Sequence, residues 1–199
     1  MKLKDVIIVS LLGVVAFVLS MLSGTVVRMF GAYAVFVHTS IASLLCAPIY
    51  FVMCHKIPKH GSIFIYYLLS GIAYSIMGFV PMLFVTIGAG LLGEICIFNK
   101  DNFENDIRIG VSYVVSQIIY ALHGFFFILV LGVNGLVNTF PNLYTTEKAQ
   151  KVKDTFMSIK NMSIILSVEI LAAILGILLG KFIYNKFFNK NTKKKRILF

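Results

Sequence analysis

His38, Gln117, Tyr120, His123, Asn134 and Glu169 are the polar or ionisable side chains that stand inside long uncharged stretches of this 199-residue chain. In hydrocarbon a charged group costs about 2.5–3.5 kcal/mol by insertion scales, so each such residue is a functional candidate that needs a partner. A histidine and a carboxylate at similar depth suit a polar or zwitterionic molecule, and nearby aromatic rings can stack on a planar one. The competing reading is mutual satisfaction, with His38 paired to Glu169 or each bonded to backbone carbonyls. Their spacing makes no reaction centre. Gly180-Lys181 is followed by Phe182, so there is no phosphate-binding loop, and Gly-x-Ser-x-Gly and His-Glu-x-x-His are both absent. His55 and His60 flank a loop with no third ligand within reach, so no metal is expected there. Cys46, Cys54 and Cys96 are odd in number, form no Cys-x-x-Cys, and read as small packing residues. The chain reads as a binder without an engine: not an enzyme, and without a cofactor.

The elements that position these groups follow from composition. With 59% hydrophobic and 13% charged residues the chain is not a soluble domain. Uncharged runs cover 6–27, 29–55, 61–93 and 109–146, and 161–180 is interrupted only by Glu169. Runs of 18 or more mark membrane-spanning helices. The third is too long for one helix and divides at Met77-Gly78-Phe79-Val80-Pro81, where proline lacks an amide proton and restricts its predecessor. The expected fold is an all-α membrane protein: a six-helix transmembrane bundle over 6–24, 31–54, 61–77, 81–98, 109–133 and 162–184, in one domain with a basic tail at 185–199. Lys2 and Lys4 before an apolar stretch could also open a signal peptide. That stretch is long for one, and no small-x-small site fits at 21–24.

The basic residues set the orientation. With both termini in the cytoplasm, thirteen of the eighteen Lys and Arg fall inside, among them Lys56 and Lys59 of the loop Lys56-Ile57-Pro58-Lys59-His60-Gly61-Ser62, and five outside. The bundle is therefore read as N-in and C-in. The net charge of +10 maps largely to membrane flanks and tail, which points to anionic lipid rather than nucleic acid. Between the fifth and sixth spans, 145–160 is helical in pattern. Ala149, Val152, Phe156 and Ile159 recur at three- and four-residue steps, Glu147 faces Lys151, and Thr145 or Thr146 can cap. This is a short amphipathic outer helix that lies on the membrane or caps a pocket. Glu94 reads as an interfacial carboxylate paired with a nearby lysine. Small residues at four-residue spacing, Ala16-Ser20-Gly24 and Ala172-Gly176-Gly180, permit close helix packing within the chain or against a partner. On this topology His38, His123 and Glu169 share the outer half of the bundle.

From His55 to Glu94 the sequence Lys56-Ile57-Pro58-Lys59-His60-Gly61-Ser62-Ile63-Phe64, then a helix ending near Gly78, then Gly88-Ala89-Gly90-Leu91-Leu92-Gly93-Glu94, resembles the Trep_Strep (MptD-like) family. The opening Lys4-Asp5-Val6-Ile7, the length and the six apolar spans fit the same family. The resemblance implies a substrate-binding S component of an energy-coupling factor (ECF) transporter in the bacterial cell membrane. Such a subunit takes a small-molecule micronutrient from outside in an outer-half pocket. Its implied partners are a transmembrane T component and two cytoplasmic ATPases, with Ala16 and Ser20 of helix 1 as the imperfect counterpart of a docking pair. Lys56 and Lys59 are further candidates for partner contact. The alternative is a self-sufficient small permease or channel.

Overall fold

A computed structural model of the chain describes residues 1–27, 29 and 34–188, apart from the side chain at 35. Arg28 and the tail from 189 onward, which entered the charge count, lie outside the described residues. The architecture is all-α. Among the described residues the helices are α1 (Leu3–Val27), α2 (Ala34–Lys56), α3 (Ser62–Ile76), α4 (Pro81–Ile97), α5 (Asp106–Ala121), α6 (His123–Thr139), α7 (Thr146–Met157) and α8 (Ile159–Ile183). A 3-10 turn at Lys100–Glu104 precedes α5, and a π-helical turn at Tyr184–Phe188 carries α8 into what the sequence suggested was already tail.

The boundaries have local causes. Pro81 opens α4, where its missing amide proton costs nothing. Asn105 accepts from the amides of Ile107 and Arg108 to cap α5, and Thr145 and Ser158 cap α7 and α8 in the same way. The expected single helix over 109–133 is instead two. The backbone leaves helical geometry at Leu122 (φ −75°, ψ 2°), and the His123 ring Nδ1 donates to the Tyr120 carbonyl at 2.9 Å, satisfying an acceptor at the break. A second bend follows at Gly132 (φ 66°, ψ −176°), a conformation open in practice only to glycine. It lets α6 turn and run on to Thr139, so Asn134 does not end that helix.

Among the described residues four apolar rods are long enough to cross a membrane: α1, α2 from Phe36, the 34-residue α5–α6 pair, and α8 with its terminal turn. At 15 and 17 residues, α3 and α4 are apolar but shorter than the roughly 20 a straight crossing needs. The outer faces of α1 and α8 are exposed leucine, valine and isoleucine, including Leu11, Val14, Leu22, Leu171, Leu175 and Leu178, as expected of surfaces that meet lipid. Inside, α2 packs on α1, α5 and α8. The core between them is rich in tyrosine: Tyr50 stands against Tyr66, Tyr67 and Tyr113, with ring centroids 4.8–6.3 Å apart.

One end of the bundle is laced by ion pairs. Lys59 pairs with Asp5, His60 with Glu94, and Asp106 with both His55 and Lys181. Tyr184 stacks on His55, and Lys56 lies over the Phe188 ring. The starts of α1, α3 and α5 therefore meet the ends of α2, α4 and α8, and both ends of the described chain share that side. Glu94 departs from the lysine pairing expected of it: its Oε1 accepts from the amides of Ile63 and Phe64, capping α3. At the other end α7 forms as expected. The Glu147–Lys151 hydrogen bond holds the carboxyl below and the ammonium above their ordinary ranges. Ala149 and Phe156 are buried, whereas Ile159 is 86% exposed and already belongs to α8.

Candidate functional site

Beneath α7 lies a cavity of about 260 Å³. Its polar lining comes from His38 and Thr39 near the start of α2, His123 at the α5–α6 break, and Tyr144 just before α7. Phe127, Leu136, Val152, Phe156 and Ile165 supply most of the apolar wall. The position is set by three local features. The break at Leu122 puts His123 at the cavity instead of continuing the α5 register. The bend at Gly132 returns Leu136 to it. Gly124 leaves room for the Phe156 ring, since a Cβ there would stand 2.4 Å from it. Phe156 is thus the wedge by which α7 covers the cavity.

His38 and His123 face each other with ring centroids 6.5 Å apart, and His123 also meets the edges of Phe127 and Phe156. Because Nδ1 of His123 donates to a carbonyl, the neutral ring offers Nε2 as an acceptor. Glu169 lies behind the wall. It is fully buried, and Ser40 Oγ donates to its Oε2 at 3.0 Å. The hydroxyls of Thr39 and Ser43 stand beside it. Its Oε1 has no hydrogen-bond partner among the described residues. Thr39 belongs both to the cavity wall and to this hydroxyl cluster, so the carboxyl and the cavity share a neighbour.

Gln117 and Tyr120 line a different space, a narrow inner cavity of about 40 Å³ among α1, α2, α3 and α5. Gln117 donates to the Tyr67 hydroxyl at 2.9 Å, and Tyr120 shares a 2.6 Å hydrogen bond with Tyr74. Ser43, which lines this space, links it to Glu169. Asn134 is exposed and lines neither cavity. Ala16 and Ser20 also line the inner cavity, and Ala16 is 4% exposed with its carbonyl accepting from Cys46. Lys59 is engaged with Asp5, and Lys56 remains exposed at the laced end. A third hollow, of about 370 Å³ between α5 and α8, is apolar apart from the Asp106–Lys181 pair at its edge and holds no converging polar groups.

The family model described as hypothetical bacterial integral membrane protein (Trep_Strep) matches residues 3–190, nearly the whole chain. The chain belongs to the Trep_Strep family. It is a bacterial integral membrane protein. No curated protein and no solved structure matches it. In this Trep_Strep chain His38 and His123 line one cavity and Glu169 lies behind its wall, while four further tyrosines were not singled out from the sequence. Tyr66, Tyr67 and Tyr74 of α3 line the inner cavity, and Tyr144 lines the outer one. A signal was present: Tyr66, Tyr67 and Tyr74 fall at helical spacing on α3, which reads equally well as ordinary packing.

Proposed function

We propose that this protein is the substrate-binding S component of an ECF-type importer, a binder with no catalytic role of its own. The observation that carries the reading is the α7-covered cavity: ligand-sized, mostly apolar, and given direction by a few converging polar groups. It sits near the starts of α2 and α8, while the ion-paired end lies at their far ends. From His38 to His55 the separation is about 25 Å at 1.5 Å per residue. The alternation of helix ends at the laced side supports six crossings, with α3 and α4 as short ones packed inside the bundle. The Lys/Arg bias then puts the laced end and both termini in the cytoplasm and the cavity toward the exterior. Between cavity and cytoplasm stand the tyrosine core and the ion pairs, a closed path that favours an energised partner over a free-standing pore.

The partners on this reading are a transmembrane T component and two cytoplasmic ATPases, with Lys56 the candidate contact. Affinity purification from the native membrane should bring down both kinds of subunit, and uptake should stop when the ATPases are inactivated. Uptake by the purified chain alone in liposomes without ATP would overturn the proposal in favour of a self-sufficient permease.

A further inference from the structure

We infer that the ligand of the α7-covered cavity is an organic cation with a flat, largely apolar body. The inference rests on the binding role just proposed and gives it a ligand class. Among the described residues no lysine or arginine lines either cavity. Glu169, by contrast, is completely buried, and among the described residues no ion pair includes it. Its neighbours are hydroxyls, and one carboxylate oxygen has no hydrogen-bond partner. A cation held nearby would favour the ionised form of this carboxyl, and in a medium of low dielectric that attraction acts over several ångströms. Ile165, one turn before Glu169 on α8, lines the cavity, which places the two about 6 Å apart along the helix.

The remaining groups point the same way. His123 presents an acceptor, because its Nδ1 proton is given to the Tyr120 carbonyl. Phe127 and Phe156 line the cavity, and an aromatic ring holds a cation over its face and a planar ring by stacking. Acceptors, aromatic walls and a buried carboxylate together describe a site for a positively charged, donor-bearing ring.

The test uses the full-length chain in detergent and three probes that share a ring: benzylamine, benzamide and benzoate, which are cationic, neutral and anionic at neutral pH. Thermal unfolding is followed with a thiol-reactive dye that reports exposure of the buried Cys46 and Cys54. At about 10 mM, where a millimolar site is mostly filled, benzylamine should stabilise most and benzoate least. Glu169→Gln should raise the half-saturating concentration of benzylamine roughly 10- to 100-fold, the range of a single charge contact at this separation. It should leave benzamide unchanged. The wild-type ranking tests the proposal even if that variant fails to fold. Stabilisation by benzoate equal to that by benzylamine would overturn it. So would a ranking untouched by Glu169→Gln, as expected if the residue is held as a neutral acid, or no response to any probe. Each of these results alongside co-purifying ATPases would remove the ligand class and leave the importer reading standing.

Discussion

Gly176 is a position where α8 packs tightly on α2, and filling it tests whether that contact holds the two helices together. A Cβ added at 176 would lie 2.6 Å from the Ala47 Cβ and 3.0 Å from the Leu44 carbonyl oxygen. Neither atom can be moved by a side-chain rotation. Pro48 lies inside α2, and its missing amide proton frees the Leu44 carbonyl from its helical donor, so the glycine packs on an oxygen already stripped of its partner. Carbon contacts settle at about 3.5–4.0 Å, so Gly176→Ala must push the helices apart by roughly 1 Å. Overpacking of this kind costs about 1–3 kcal/mol, offset by about 1 kcal/mol of gained helix propensity. Gly88→Ala is the control: its added Cβ meets only Ile119 Cγ2 at 3.8 Å, and the propensity gain remains, about 0.5–1 kcal/mol. The two variants should differ by about 1–3 kcal/mol. At about 2–4 °C per kcal/mol for a chain of this size, Gly176→Ala should melt roughly 3–10 °C below Gly88→Ala. The thiol-dye assay reads this directly, because Cys46 and Cys54 are buried in the core that must open. If Gly176→Ala melts at or above Gly88→Ala, the close contact is not structural and the reasoning fails.

Two further outcomes follow from particular contacts. Glu94→Ala removes the acceptor of two α3 amides and should cost about 1–3 kcal/mol, while Glu94→Gln, which keeps a carbonyl oxygen there, should lose much less; thermal unfolding of the pair distinguishes a cap from a simple charge. Phe156→Ala removes the wedge that seats α7 over the cavity, at about 3–5 kcal/mol for a buried phenylalanine. Because that loss is local to α7, trypsin should cut faster after Lys151 and Lys153 while the melting of the rest changes little.

Much of this arrangement was legible in the sequence, for identifiable reasons. Apolar runs and Pro81 located helices because hydrophobic length and a missing amide proton act locally. His38, His123 and Glu169 stood out because polar groups are costly in hydrocarbon; the first two line one cavity and the third lies behind its wall. The break at Leu122 was not legible: Gly124, two residues on, is no stronger a mark than the other glycines of the same run, and the break's visible support is a histidine side chain bonding back to a carbonyl. Asn134 stands exposed on α6 beyond the bend at Gly132, a position that an unbroken helix over 109–133 did not show. Ala16 and Ser20 fit either surface or interior by spacing alone, and only their neighbours in three dimensions show that they face inward. Glu94 looked like an interfacial charge because its partners, two amides of α3, are thirty residues away and carry no sequence mark.

The two ends of the molecule are built to yield under different loads. At the laced end, opening would break the pairs of Asp5, Glu94 and Asp106 and separate stacked rings of His55 and Tyr184. At the other end, the cover among the described residues is one twelve-residue helix with two buried side chains, Ala149 and Phe156. Local opening costs least where few buried contacts hold an element. Lifting α7 is therefore the low-cost motion, and it exposes His38 and His123 without disturbing the tyrosine core. On the proposed orientation a ligand enters from outside by displacing α7 alone. Release to the cytoplasm requires parting the laced end, a larger cost that thermal fluctuation would meet rarely. That asymmetry is what an externally energised binder needs, since a binder that opened both ways with equal ease would leak its ligand.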